Sequence, residues 1–251
     1  MSKAMNALLA RSLLGAMLCL VALPAAALDG AQILQKVDRN LEPESYESYR
    51  KLIDIQPDGT QRSYVLWTIK KGRDKILALF LEPASDKGRV TLRIGDNMWL
   101  YVPDVGKPIR ITSLQSVTGS IFNNADILRI DYTAEYNVEG VEEQKGQYLL
   151  SLKAKTGDVA YDRLKMWVDA QHLLPVTIEC YAASGMLLKT LHFSNVKDFG
   201  GGIKRPAQLE TDSPLYKGYK SVMLWSGLKK ATFPDEIFTL NYLPRIEDLR
   251  K

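Results

Sequence analysis

The chain has 251 residues, 46% hydrophobic and 25% charged, with 33 basic against 29 acidic side chains and a net charge of +4. A balance this even does not support nucleic-acid binding, which calls for a concentrated basic face. At this length the core can be large enough to need no disulfide.

Lys3 and Arg11 supply a basic leader, Leu13 to Leu23 an apolar run, and Ala25-Ala26-Ala27 a small-residue cleavage site. This pattern predicts a cleaved export signal over residues 1–27 and a single domain over 28–251. The apolar run is short for a bilayer span, which takes about 20 residues. Leu18 precedes Cys19 where lipid attachment would need a small residue. After cleavage Cys180 is the one cysteine, so no intramolecular disulfide is expected.

In LDGAQILQKVDRNL, Ile33, Leu34, Val37 and Leu41 stand at helical spacing behind Asp29, a natural N-cap. Strands are predicted next at Tyr46 to Ile55 and Ser63 to Ile69, joined by a turn at Asp58-Gly59. Others follow at Lys75 to Leu81, Arg89 to Ile94, Met98 to Val102 and Ile109 to Thr112. Lys70-Lys71-Gly72-Arg73-Asp74-Lys75 reads as a solvated hairpin tip. Ser113 to Tyr132 breaks the rhythm and has room for short helices, for example around Asn124 to Leu128. Strands resume at Ala134 to Val141, Gln147 to Ala154, Arg163 to Val168, Pro175 to Tyr181 and Met186 to Phe193. The last are expected at Arg205 to Glu210, Lys220 to Lys229 and Ile237 to Leu240. About a dozen strands with so little helix predict a mainly β fold: a curved antiparallel sheet forming an incomplete, half-open β-barrel with a helical lid.

Motifs for catalysis are missing. His172 and His192 sit outside any HExxH or nucleophile-elbow pattern, Asp169 beside His172 reads as a surface turn, and Cys180 reads as a packed thiol. No cofactor or metal is implied. The aromatic residues Trp67, Trp99, Trp167 and Trp225 all fall on predicted strands, where core packing is the ordinary explanation.

Several strands are apolar on both faces, notably Ile76 to Leu81 and Met98 to Val102, and so require two covers. On Arg89 to Ile94, Thr91 and Arg93 mark an outer face, which directs Val90, Leu92 and Ile94 to the concave side.

LFLEP at 79–83, DKG at 86–88, DNMWLYVP at 96–103 and KPIRI at 107–111, after a leader and one helix, resemble the LolA-like outer-membrane lipoprotein-sorting family. The likeness is strongest to its periplasmic branch associated with exporters of the resistance-nodulation-division type. It departs at Asn123-Asn124, where that branch usually has a Gly-Ser turn; asparagine's tolerance of left-handed conformations offers to keep the backbone shape. The resemblance implies a periplasmic, monomeric carrier, with no enzymatic activity, that takes up acyl chains of a lipid or lipoprotein, with an inner-membrane exporter and an outer-membrane acceptor as partners. A partner of an exporter that carries no lipid, and a hydrolase, are the alternatives. The cavity is expected from Trp67, Leu77, Leu79, Val90 and Leu92, with Ile94, Trp99, Tyr101, Ile121 and Phe122.

Overall fold

The computed structural model describes residues 29–116 and 118–250; the expected export signal lies outside them. Helix α1 covers Gly30–Leu41, capped as anticipated by the Asp29 carboxylate, which accepts the Gln32 N–H at 2.7 Å. Six strands follow: β1 Tyr46–Ile55, β2 Gln61–Lys71, β3 Lys75–Glu82, β4 Val90–Ile94, β5 Asn97–Tyr101 and β6 Ile109–Ile111. Short helices α2, Asn124–Ile127, and α3, Tyr132–Glu135, lead to β7 Tyr136–Gln144 and β8 Gln147–Ala154. The remainder is β9 Arg163–Asp169, β10 Pro175–Tyr181, β11 Leu187–Asp198, β12 Lys204–Asp212 and β13 Lys220–Lys230.

The 13 strands form one sheet in the order β6-β5-β4-β3-β2-β1-β13-β12-β11-β10-β9-β8-β7, which is not closed into a barrel. Each neighbouring pair is antiparallel. The first and last strands pair in the middle, so the chain builds outward along one half and inward along the other. Consequently β6 and β7 are the two free edges, and residues 112–135 must cross from one edge to the other. That crossing segment carries α2 and α3, which is why the lid lies over the inner face.

The inner face and the helices share one apolar cluster. Ile33, Leu34, Val37 and Leu41 of α1 meet Leu52, Leu66 and Phe80 from one half of the sheet and Leu150, Leu164 and Ile178 from the other, with Ile127 and Leu128 of the lid. The outer face of β2 to β5 is covered by a different element. Ile237, Phe238, Leu243 and Ile246, in 3-10 turns over Asp235–Phe238 and Leu243–Arg250, pack on Ile69, Leu77, Leu79, Val90 and Leu92.

This corrects three sequence expectations. The segment Ile237 to Leu240 is a 3-10 turn and loop instead of a strand, started by Pro234 in extended backbone. The facing of β4 is inverted: Thr91 and Arg93 point inward and are buried, whereas Val90, Leu92 and Ile94 belong to the outer cluster. Alternation fixes only which residues share a face, and the apolar C-terminal segment supplied the second cover. The basic hairpin tip is also less solvated than its composition implied. Lys70 is wholly buried against Asp131 at 2.6 Å, while Lys71 and Lys75 hold Asp235 of the C-terminal segment at 3.1 and 2.6 Å.

Candidate functional site

A small gap, with a free volume of about 30 Å³, lies between the lid and the sheet half formed by β9 to β13. Leu164, Ile178, Leu191 and Leu209, from four consecutive strands, make an apolar track along its floor, with Cys180, Phe193 and Trp225 beside them. Ala125, Tyr132 and Tyr136 face it from the lid side. That volume is room for about two waters.

Three cations of the sheet hold backbone carbonyls of the crossing segment. Arg50 Nη1 on β1 donates to Ile127 O at 2.7 Å, Arg93 Nη1 on β4 to Leu128 O at 3.3 Å, and Lys189 Nζ on β11 to Ile121 O at 2.6 Å. Carbonyls at a helix C-terminus lack intrahelical partners, so charged donors satisfy them well. At the other end of α2, Asn123 explains its departure from the family pattern. Its Oδ1 accepts the Asp126 N–H at 3.1 Å while Asp126 Oδ2 accepts the Asn123 N–H at 3.0 Å, a reciprocal cap. Asn123 is extended, with φ −104°, so capping and not left-handed backbone is its role. Asn123 Nδ2 also donates to Tyr161 Oη, which in turn donates to Asp126, each at 2.8 Å. Burial, together with the charge of Asp126, pushes the Tyr161 phenol well above its usual range, so it stays a donor.

The end of the gap beneath α1 is charged. Glu42 lies 2.8 Å from Arg129, 3.4 Å from Arg205 and 3.7 Å from both Arg50 and Lys70. Burial alone would raise the Glu42 carboxyl, but these cations outweigh it and hold it well below the carboxylate range. Desolvation lowers Arg205 to about 10 against the opposing pull of Glu42, and Arg129 and Arg50 add to the lowering, so it remains a cation at neutral pH. Both guanidinium groups of Arg50 and Arg205 lie against the Trp225 ring, 5.5 and 4.4 Å from its centroid.

The cavity residues expected from sequence lie mostly elsewhere. Trp67, Leu77, Leu79, Val90, Leu92 and Tyr101 are buried in the outer cluster, with Ile94 and Trp99 packed against it. Phe122 is buried in the inner core, and Ile121 borders a surface depression beside Asp54 and Tyr216. None of the ten lines the gap under the lid. Residues outside that set do so: Arg50 and Arg205 stand in phase with the buried positions Tyr46, Ser48 and Leu52 of β1 and Ala207 and Leu209 of β12. A cation in the apolar phase of a strand was the available signal.

Asp169 Oδ1 accepts the His172 N–H at 2.7 Å in an exposed turn, as the sequence implied. Cys180 is fully buried, and burial pushes its thiol far up, so it carries no nucleophilic thiolate.

A family model whose description reads "Uncharacterized protein" matches residues 72–245. No curated protein matches the chain. Among solved structures, a LolA superfamily protein from Nitrosomonas europaea is 30% identical, with 86% of this chain and 100% of that one aligned at a TM-score of 0.78. A DUF1329 family protein from Desulfovibrio piger is 25% identical over 85% and 97% of the two chains, TM-score 0.73. A domain from Vibrio parahaemolyticus, described as an outer membrane lipoprotein-sorting protein, shares the fold at 23% identity, 86% and 98% coverage and a TM-score of 0.73. With this open sheet, its lid and that identity along the whole of the Nitrosomonas protein, the chain belongs to the LolA superfamily.

Proposed function

We propose that the protein is an exported periplasmic carrier that holds acyl chains of a lipid or lipoprotein beneath its lid during transit between membranes, without chemistry of its own. The observation that carries this is the apolar track of Leu164, Ile178, Leu191 and Leu209 under a segment held by hydrogen bonds from Arg50, Arg93 and Lys189. An apolar track beneath a cover held by hydrogen bonds suits a chain that must be shielded from water. The sorting role described for the Vibrio domain is consistent with it. Export rests on the leader at residues 1–27, after which the mature chain starts near Leu28.

The test is to purify the protein from the periplasm of a Gram-negative host, extract it with solvent and identify lipid by mass spectrometry, then titrate the delipidated protein with the neutral probe N-phenyl-1-naphthylamine. A bound acyl lipid and saturable uptake are expected. Absence of both overturns the carrier reading.

A further inference from the structure

The floor of the gap is apolar, yet its end beneath α1 holds more positive than negative charge. Glu42 and Asp131 are the carboxylates paired there, against Arg50, Arg129, Arg205 and Lys70. Including Asp38, whose oxygens accept the Tyr132 and Thr133 N–H groups, still leaves one cation in excess among these four, and the exposed Arg39 and Arg73 also reach Asp131. Asp126 and Glu135, which also border the gap, are matched by Lys189 and Arg93. Burying an unmatched cation is unfavourable, so a fold that keeps one invites an anion.

A second observation is independent of charge. Trp225 Nε1 and Arg50 Nε are buried and donate to no acceptor among the described residues, although Trp225 is 7% exposed and Arg50 2%. Indole N–H and guanidinium N–H groups can only donate, and buried donors are ordinarily paired. Both residues border the gap, and both are beside Arg205. An oxygen-rich group placed there would meet unpaired donors and an excess of positive charge together. Glu42 Oε2, which accepts no hydrogen bond, is held 3.7 Å from Lys70 and so faces a cation of its own.

We infer that the cargo is an anionic amphiphile, whose carboxylate or phosphate oxygens sit against Trp225, Arg50 and Arg205 while its chain runs along Leu164, Ile178, Leu191 and Leu209. This rests on the carrier reading and narrows it: a neutral glyceride or alcohol lacks the group that this end accommodates.

The experiment displaces N-phenyl-1-naphthylamine from delipidated protein with dodecanoate, dodecyl phosphate, dodecanol and dodecyltrimethylammonium, whose chains are equal in length. One or both anions should displace the probe at concentrations about tenfold or more below the alcohol, as one charge-assisted contact can supply, with the cation weakest. Which anion is stronger separates a carboxylate from a phosphate headgroup. In Trp225→Phe, which keeps an aromatic ring and removes the N–H, and in Arg205→Gln, the anion-to-alcohol ratio should fall toward one. Trp225→Phe keeps the test valid if Arg205→Gln does not fold. Equal displacement by anion and alcohol overturns this inference and leaves the carrier reading intact, as does an unchanged ratio in Trp225→Phe. A protein that takes up no probe at all removes both.

Discussion

Lys189 Nζ lies 2.7 Å from Asp126 Oδ2, with both side chains almost wholly buried, and so ties β11 to the first turn of α2. The same ammonium donates to Ile121 O. Lys189→Met would leave the Asp126 carboxylate without its cation, at a cost of about 3 to 5 kcal/mol. Amides of residues 121–128 should then exchange with deuterium faster than those of β1 and β13. Uniform acceleration through the sheet would mean that Lys189 supports the whole fold and is no latch for the lid.

Leu92 and Leu209 separate the two faces. Leu92 is fully buried under the C-terminal segment, so Leu92→Ala should lower stability by about 2 to 5 kcal/mol and leave uptake of N-phenyl-1-naphthylamine within about twofold. Leu209→Trp should fill the track and abolish uptake in a folded protein. Loss of uptake in well-folded Leu92→Ala would return the cavity to the outer face.

The C-terminal 3-10 turns cover the outer face of the sheet. Ile237, Phe238, Leu243 and Ile246 are each 2% exposed or less. Phe238→Ala should cost about 3 to 5 kcal/mol, and deletion of residues 235–250 should bare Leu77, Leu79, Val90 and Leu92 and yield insoluble chain. A soluble, cooperatively folded truncation would contradict the two-cover architecture.

Acid stability should report Glu42. A carboxyl whose folded value is held down stabilises the fold above its unfolded value, here 4.5, and that contribution is lost as pH falls through the folded one. Asp38 and Glu135 act in the opposite sense, because burial raises both. Comparison with Glu42→Gln isolates the one group: the variant should be less stable by about 3 to 5 kcal/mol at pH 7, and the gap should narrow below pH 4.5. A gap constant down to pH 3 would show that Glu42 is not held ionised by its cations.

Replacing Asn123 probes the lid's cap. Asn123→Ala should cost about 1 kcal/mol or somewhat more, since it removes both the cap and the bond to Tyr161, while Asn123→Ser, which retains a capping oxygen, should cost less. Thermal unfolding of the pair, with equal losses, would remove capping as the reason for this residue.

Local patterns in the sequence determined the helix behind Asp29, the hairpin at Asp58-Gly59 and the place of all thirteen strands; α3 takes the residues expected to start β7, and β11 runs on past Phe193 to Asp198. These are decided by neighbours within one or two turns of chain, where spacing and turn chemistry act. The two-faced strands were legible too, and so was the need for two covers. Which face was inner was not. Period-two alternation is unchanged when a sheet is turned over, so Val90, Leu92 and Ile94 and their complement Thr91 and Arg93 are equally consistent with either facing until a distant segment chooses. That choice was made by pairing β1 with β13, which brings the C-terminal apolar turns onto one face and obliges residues 112–135 to cross the other. The charged end of the gap arose in the same way: Glu42, Lys70, Arg129 and Arg205 are far apart in sequence, and only the closure of the sheet's middle and the passage of the lid bring them within 4 Å contacts of one carboxylate.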